Sequence, residues 1–410
     1  MATDIISVAV AGNSGSCKLL AAGTTNPNVY RSTNNGTTWQ ASSKDVSQAT
    51  GVTPKYLVMA DDYLDSGKAW VATVAAAALD ESSVAQTTDA GVSWNDLSLI
   101  NTDINQIHNL AVSPDYASDG TYFMVTASSG AQDSVWKYDG SQWNRVFTAV
   151  APFAAATTMV QFSPDFASDS AVFLADAAAT PKIYRSTNGG GWFKGQLTAP
   201  GVFDGGWIVL DSSTLIIGST TNARITKNNG TTWSSKGLSG ATGPVLSFAK
   251  SPDYANDSTL LLGDSAGGVY RSTNGGSSWS GIPAGVPVAA GASLSVAFDA
   301  DYASNSTVYA VDGVGKGVYR LVIGTDTSWK RIDGLGIVKW PGVSTAVTAA
   351  NASRLVPGIQ VAPDGAVYVS DATAAVVMLR SINPTGSRAS SRGVYFEPMA
   401  YGFNGTAASL

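Results

Sequence analysis

Five copies of one eight-residue pattern, S/T-x-N/D-x-G-x-x-W/F, recur along this 410-residue chain and reduce its fold to a unit of about fifty residues. The copies are Ser32, Asn34, Gly36 and Trp39; Thr87, Asp89, Gly91 and Trp94; Ser186, Asn188, Gly190 and Phe193; Thr226, Asn228, Gly230 and Trp233; and Ser272, Asn274, Gly276 and Trp279. Three share the lead-in Y-R-S-T-N, at 30–34, 184–188 and 270–274. A second pattern, S-P-D-Y-A-x-D, stands at 113–119, 163–169 (with Phe166 for Tyr) and 251–257, and weaker versions lie at 60–66 and 300–305. The two patterns alternate, so each unit contains one of each.

Degraded hairpins ending at Trp143 and Trp329 fill the long gaps between aromatic positions and bring the count to seven units. An eighth is read between Gly358 and Asn383, where the strand order is copied while the Gly and Trp are lost. Within the sixth unit, residues 245–249, 260–262, 268–271 and 277–280 read as short strands separated by Pro, Asp, Asn and Gly clusters, which signal turns. The Ala-rich run from Val74 to Leu79 occupies a strand position and is read as β despite its helical propensity. Four short strands per unit, repeated in series, describe an all-β β-propeller of four-stranded blades. Eight blades are preferred. Seven are the alternative, with the last unit reduced to a closing strand and a tail. A β-helix fits less well, because its coils are usually shorter. The propeller is expected to be one domain over 1–400, with 401–410 a polar tail or a cut inside a longer protein.

Each residue type in the eight-residue pattern has a structural job. The hydroxyl and the Asn or Asp two residues on can both bond nearby backbone groups and fix a tight turn. Gly supplies positive φ. The aromatic is expected to fold back into its own blade's interior, with burial worth roughly 2–3 kcal/mol per ring.

On these residues the chain resembles the Asp-box, or BNR, repeat family, found in sialidases, sortilin-type receptors, the photosystem II assembly factor and two-domain xyloglucanases. The resemblance implies a propeller with the box on the hairpin between third and fourth strands, at the outer edge and away from an active site. It says little about function, since one fold carries hydrolases, receptors and scaffolds. Asn often stands where the family has Asp, an exchange that a turn-capping role tolerates. The combination with S-P-D-Y-A-x-D loops is also similar to large bacterial surface proteins, including candidate S-layer subunits.

Charged residues make up only 13% of the chain, so its polar surface must be mostly Ser, Thr, Asn and Gly. Of its 30 acidic residues only Glu81 and Glu397 are Glu, and this Asp bias independently favours turns over helices. The net charge of −6 and the lack of a basic run argue against nucleic-acid binding. A single cysteine, Cys17, excludes an intrachain disulfide and a Cys-based metal site. No apolar segment is long enough to span a membrane. The Met1 end lacks a leader pattern, yet the Lys-poor surface reads as extracellular, so a mature chain without its leader is expected. The sequons at Asn35, Asn229 and Asn305 carry little weight, since the first two lie inside the turn pattern.

Sialidase chemistry would require three arginines converging on a carboxylate. Here Arg31, Arg185, Arg271, Arg320 and Arg380 hold one repeat-locked place before the turn, and the Arg-Ile-Pro signature is absent, Arg331-Ile332-Asp333 being the nearest string. For another glycosidase, which needs two carboxylates about 5–10 Å apart, the aspartates least explained by the repeat are Asp133, Asp204, Asp312 and Asp333. Trp207, beside Asp204, reads as the core start of an inner strand more readily than as a sugar platform. His108, the only histidine, lacks a partner for zinc and reads as a strand residue. The pairs Asp115/Asp119, Asp165/Asp169 and Asp253/Asp257 offer oxygens to calcium, the one metal worth testing, but read first as turn caps. No cofactor is expected. The sequence therefore reads as a noncatalytic extracellular surface protein, such as an S-layer or envelope component, that assembles with itself or with envelope proteins through its faces. A glycan-binding or glycan-cleaving propeller and a protein-complex assembly factor are the alternatives.

Overall fold

The computed structural model describes residues 5–23, 28–44, 46, 53–74, 83–97, 104–128, 134–148, 159–176, 182–191, 193–195, 206–282, 294–312, 317–333, 358–370, 378–386 and 394–399. Among these, the strands form eight four-stranded antiparallel sheets, each built from four consecutive strands. The blades span 5–41, 53–96, 104–148, 159–195, 207–237, 245–281, 294–331 and 359–398 and are numbered 1 to 8 here. The chain is an eight-bladed β-propeller.

Burial changes from axis to rim, and the sequence follows it. In blade 6 the second strand, Leu260–Asp264, is buried at every position because a blade packs on each of its faces. In blade 7 the first strand, Leu294–Phe298, alternates buried and half-buried residues. The outermost strand of blade 6, Ser280–Gly281, is exposed at both positions. First strands adjoin first strands around the axis, as between Ile5–Ala11 and Thr53–Met59, or Val245–Lys250 and Leu294–Phe298.

The core is divided among the seams. Each cluster of buried side chains draws on two successive blades, and together the clusters close the circle from blade 1 to blade 8 and back. Between blades 3 and 4, for example, Phe123, Val125 and Val135 meet Val160, Phe162, Val172 and Leu174. Each such side chain stabilises the ring by about 1.5–3 kcal/mol. The closing seam joins Ile5, Val8, Cys17, Leu19, Ala21 and Tyr30 to Ala366, Tyr368, Met378 and Met399. Among the described residues no strand of blade 1 is shared with the sheet of blade 8, and side chains and their hydrogen bonds cross the closing seam.

Inner strands present a backbone edge to the axis, and neighbouring blades cap it. The N–H groups of Leu57, Val160 and Val209 donate to Ser7 Oγ, Asn109 Oδ1 and Gln161 Oε1 of the preceding blades, at 3.2, 3.1 and 3.3 Å. Ser247 Oγ donates to the Leu294 carbonyl at 2.6 Å. Such bonds satisfy groups that would otherwise template strand addition.

The S-P-D-Y-A-x-D segments differ from the expected turns. They form single helical turns between first and second strands: Tyr116–Asp119, Phe166–Asp169 and Tyr254–Asp257, with Tyr63–Ser66 and Tyr302–Asn305 at the weaker copies. The last Asp locks each one. Ser113 Oγ donates to Asp119 Oδ2 at 2.6 Å, while Asp119 Oδ1 accepts the Thr121 N–H at 2.8 Å. Asp169 and Asp257 repeat both bonds. In blade 7 the roles are exchanged, with Asn305 donating to Asp299 at 2.7 Å. The run beyond Val74 and the 401–410 tail lie outside the described residues.

Candidate functional site

The strand order places the one-turn helices and the eight-residue hairpins at the same end of the ring. The second-to-third hairpins and the blade-to-blade connections leave from the opposite end, and much of that end lies outside the described residues.

All five hairpins have one geometry. The first hydroxyl donates to the Asn or Asp side chain two residues on, at 2.7–3.1 Å. The same hydroxyl accepts the N–H of the glycine at 2.8–2.9 Å. Both central residues have positive φ, as at Asn35 (57°) and Gly36 (80°), which defines a type I′ turn. In four hairpins the residue before the glycine donates its N–H to the turn between first and second strands of its own blade. Ala90, Gly189, Asn229 and Gly275 bond the carbonyls of Gly67, Ser170, Ser213 and Ser258 at 2.9–3.0 Å.

Asn and Asp are interchangeable here for a visible reason. The seventh residue's hydroxyl adapts: Thr38, Thr232 and Ser278 accept from the amides of Asn34, Asn228 and Asn274 at 2.8–2.9 Å, whereas Ser93 donates to Asp89 at 2.6 Å. Slight burial pushes the Asp89 carboxyl up, but its bonds from Ser93 and Thr87 outweigh this and hold it below the usual range. A carboxyl depressed in the folded state stabilises fully above its unfolded value and loses that contribution as pH falls through the folded one. Asp89→Asn is therefore expected to leave neutral stability within about 0.5 kcal/mol. The variant's urea midpoint should fall less than wild type's between about pH 4 and pH 2.

Ala90 is the one residue at the first central position that is neither Asn nor Gly, and it sits at φ 57°. A left-handed alanine costs about 1–2 kcal/mol, partly offset by the extra chain entropy of glycine. Ala90→Gly should thus stabilise by about 0.5–1 kcal/mol, read as a raised urea midpoint.

The aromatic residues correct the sequence reading. They pack on the seam with the preceding blade instead of their own blade's interior: Trp39 against the blade 8–1 cluster, Trp94 within the 1–2 cluster, and Phe193, Trp233 and Trp279 against the 3–4, 4–5 and 5–6 clusters. Trp94 is fully buried, and the other four are half-buried. Trp39 Nε1 donates to the carbonyls of Gly36 and, across the seam, Met399, at 3.1 and 3.2 Å.

The eighth unit is a second correction, since its aromatic position, read as lost, is filled. Ser381 is buried like its counterparts, its hydroxyl reaches Asn383 Oδ1 at 3.4 Å, and Asn383 accepts the Tyr395 N–H at 3.2 Å. Phe396, 2% exposed in the 7–8 seam, then stands where Trp39 stands in blade 1. Thirteen positions separate Asn383 from Phe396, against five from Asn34 to Trp39.

The repeat-locked arginines lie on third strands near the rim. Arg320 reaches forward to the Pro384 and Gly386 carbonyls at 2.6 and 3.1 Å, and Arg380 bonds Glu397 and the Ser14 carbonyl. Of the four candidate aspartates, Asp133 and Asp204 lie outside the described residues, and Asp312 is placed only by its backbone, at the end of Thr307–Asp312. Asp333 is buried at the outer edge of blade 7, where Arg331 Nε and Nη2 donate to it at 2.7 and 3.1 Å, a bond that pushes the guanidinium pKa up. Trp207 is a core residue of the 4–5 seam. His108 is 8% exposed on Ile104–Val112, and its carbonyl accepts Tyr56 OH at 2.6 Å. Asp115 accepts the Ala167 N–H of blade 4 at 3.3 Å, and Asp253 accepts from Asn256 at 2.5 Å. Among the described residues, no three His, Cys, Asp or Glu side chains gather as a metal site would need.

Sequence reading passed over Asp264, at the blade 6 end of the opposite face. Burial pushes its carboxyl up, although it accepts the N–H groups of Ala266 and Gly268 at 2.9 and 2.7 Å. It also passed over two hollows. One, of about 550 Å³, lies against the inner strands of blades 6, 7 and 8 and is lined by Lys250, Gln360, Phe298, Val296, Pro252 and Pro363 among others, with no carboxylate among the described residues. The other, of about 340 Å³, lies between the hairpins of blades 5 and 6.

No protein-family model matches the chain, and no curated protein matches it in sequence. Solved structures do resemble it. The computationally designed Ika8 protein aligns over 90% of this chain and 93% of its own, at 13% identity and a TM-score of 0.54. YCF48 from Cyanidioschyzon merolae aligns over 76% and 92%, at 12% identity and a TM-score of 0.46. The GH74 xyloglucanase from Xanthomonas campestris aligns over 92% and 61%, at 15% identity and a TM-score of 0.33. The chain thus spans about three fifths of that enzyme's length. At such identities the likeness is one of fold.

Proposed function

We propose that this chain is a noncatalytic interaction module of Asp-box type that works at the cell surface, as an S-layer or envelope component, and assembles through its propeller faces. The observation that supports it best is where the polar side chains go. Asp119, Asp169 and Asp257 are engaged in locking their helical turns, Asp89 and its Asn counterparts in holding hairpins, and Asp333 in an ion pair. Groups held by the frame are not poised for acid–base chemistry, which needs a proton within reach of substrate. With 13% charged residues, neighbouring copies can approach with little electrostatic cost.

Sedimentation of the purified chain across protein concentration, with and without millimolar calcium, tests this reading. Ordered growth into large oligomers or sheets is expected. A strict monomer in both buffers, or hydrolysis of xyloglucan or another polysaccharide by the chain, overturns it.

A further inference from the structure

Positions that recur in every blade are required by the ring, so a position that breaks the repeat is free to serve something else. The second residue of the hairpin is Thr33, Thr88, Thr187 and Thr273 in four copies, but Lys227 in blade 5. Three residues after the aromatic, the other copies carry Ser42, Leu97, Gln196 and Ile282, while blade 5 carries Lys236. Both lysines line the same hollow, of about 340 Å³, between the hairpins of blades 5 and 6.

The rest of that lining is hydroxyl and amide: Asn228, Thr232, Ser234 and Ser277, over Ile225. Among the described residues no carboxylate lines it, in a chain with 30 acidic and 24 basic residues. Lys227 Nζ donates to Ser277 Oγ at 2.9 Å across the gap between blades, which holds the ammonium against the wall. Lys236 is half-buried on Ser234–Gly237. Asn228 and Thr232 are fixed to each other at 2.8 Å, so their remaining lone pairs and protons are already oriented.

We propose that this hollow binds an anionic sugar residue of an acidic polysaccharide, with the anion between Lys227 and Lys236 and the sugar hydroxyls on Asn228, Thr232 and Ser234. Two ammonium groups select negative charge, and short hydroxyl and amide side chains suit a polyhydroxylated body. The hollow is at the small end of ligand sites, room for one sugar ring with its neighbours outside. The carboxylate of a uronate and the sulfate ester of a hexose share this chemistry.

Titration calorimetry on the full chain, at concentrations where it is monomeric, tests the site independently of assembly. The probes are an oligogalacturonate, a sulfated oligosaccharide of similar length and a neutral oligosaccharide. The variant is Lys227→Thr with Lys236→Ser, which installs residues the repeat already uses at those positions. Binding of the uronate, the sulfated sugar or both is expected, at least tenfold tighter than the neutral sugar and weakened by salt. The double variant should lose at least tenfold while its thermal unfolding stays unchanged. Binding of the uronate alone assigns a carboxylate ligand, and binding of the sulfated sugar alone assigns a sulfate ester. Binding of neither, equal binding of the neutral sugar, or unchanged binding by the folded double variant overturns the proposal.

Discussion

Gly36→Ala is expected to destabilise the protein by about 3 kcal/mol, through strain at a left-handed position combined with overpacking. Gly36 lies at φ 80°, and a Cβ there would stand 2.1 Å from the Met399 carbonyl oxygen. That oxygen belongs to the backbone of blade 8 and is already held by Trp39, so it has little room to retreat. Relief requires the hairpin of blade 1 to lift from blade 8, which opens the seam that closes the ring. A control separates strain from collision. At Gly189, φ 66°, an added Cβ meets nothing nearer than the Lys137 ammonium at 3.5 Å. Gly189→Ala should therefore cost only about 1 kcal/mol, the left-handed penalty alone. Urea unfolding of the two variants checks the contrast, and equal losses would show that the collision is absorbed.

The same glycine shows what the sequence made legible and what it left hidden. The periodic spacing of Ser, Asn, Gly and Trp exposed the hairpins, the four-stranded unit and the preference for eight blades, because each of those residues is needed locally to turn the chain. Local need leaves a local signature. The partner of Gly36 is Met399, at the other end of the sequence, and nothing in the repeat says that each hairpin leans backward onto the preceding blade. Spacing alone accordingly places the aromatic in its own blade's interior, whereas it fills the seam. The aromatic of blade 8 escaped for a related reason. Asn383 and Phe396 keep their roles in space, but the inserted residues break the spacing by which such pairs are found.

The candidate site was less legible than the fold. Repetition identified Arg31, Arg271 and their relatives as frame residues, and the structure places them on third strands near the rim. It could not rank Asp333 against other unrepeated aspartates, since its pairing with Arg331 depends on where the outermost strand ends. Lys227 and Lys236 carried a signal in hindsight, as departures from a repeat otherwise occupied by Thr at the first of these positions. What joins them is the gap between two hairpins, a feature of tertiary structure that spacing within one hairpin does not encode.

The other large effect is expected at Arg380, which closes the ring from the blade 8 side. The residue is 7% exposed, and its guanidinium donates to Glu397 and to the Ser14 carbonyl of blade 1 and lies 3.9 Å from Cys17 Sγ. A second bond across the same seam runs from the Ser14 N–H to Asp364 Oδ2 at 2.7 Å. Truncating Arg380 leaves Glu397, whose side chain is 31% exposed, and the half-buried Ser14 carbonyl without their donor, so the loss is expected at the low end of the cost of breaking a buried pair, about 3 kcal/mol. Because no described strand crosses from blade 1 to blade 8, this loss falls on local opening of the seam as well as on global unfolding. Cys17 reports it. The thiol is fully buried in the closing cluster, and burial pushes its pKa up, so it reacts only when the seam parts. In Arg380→Ala a thiol reagent should label Cys17 about a hundredfold faster under native conditions, the counterpart of about 3 kcal/mol of seam stability. Arg271→Ala, the same substitution at the same repeat position two blades away, should leave the labelling rate unchanged. Equal acceleration by both would mean that Cys17 is reached through general loosening of the ring, and that Arg380 has no special part in closing it.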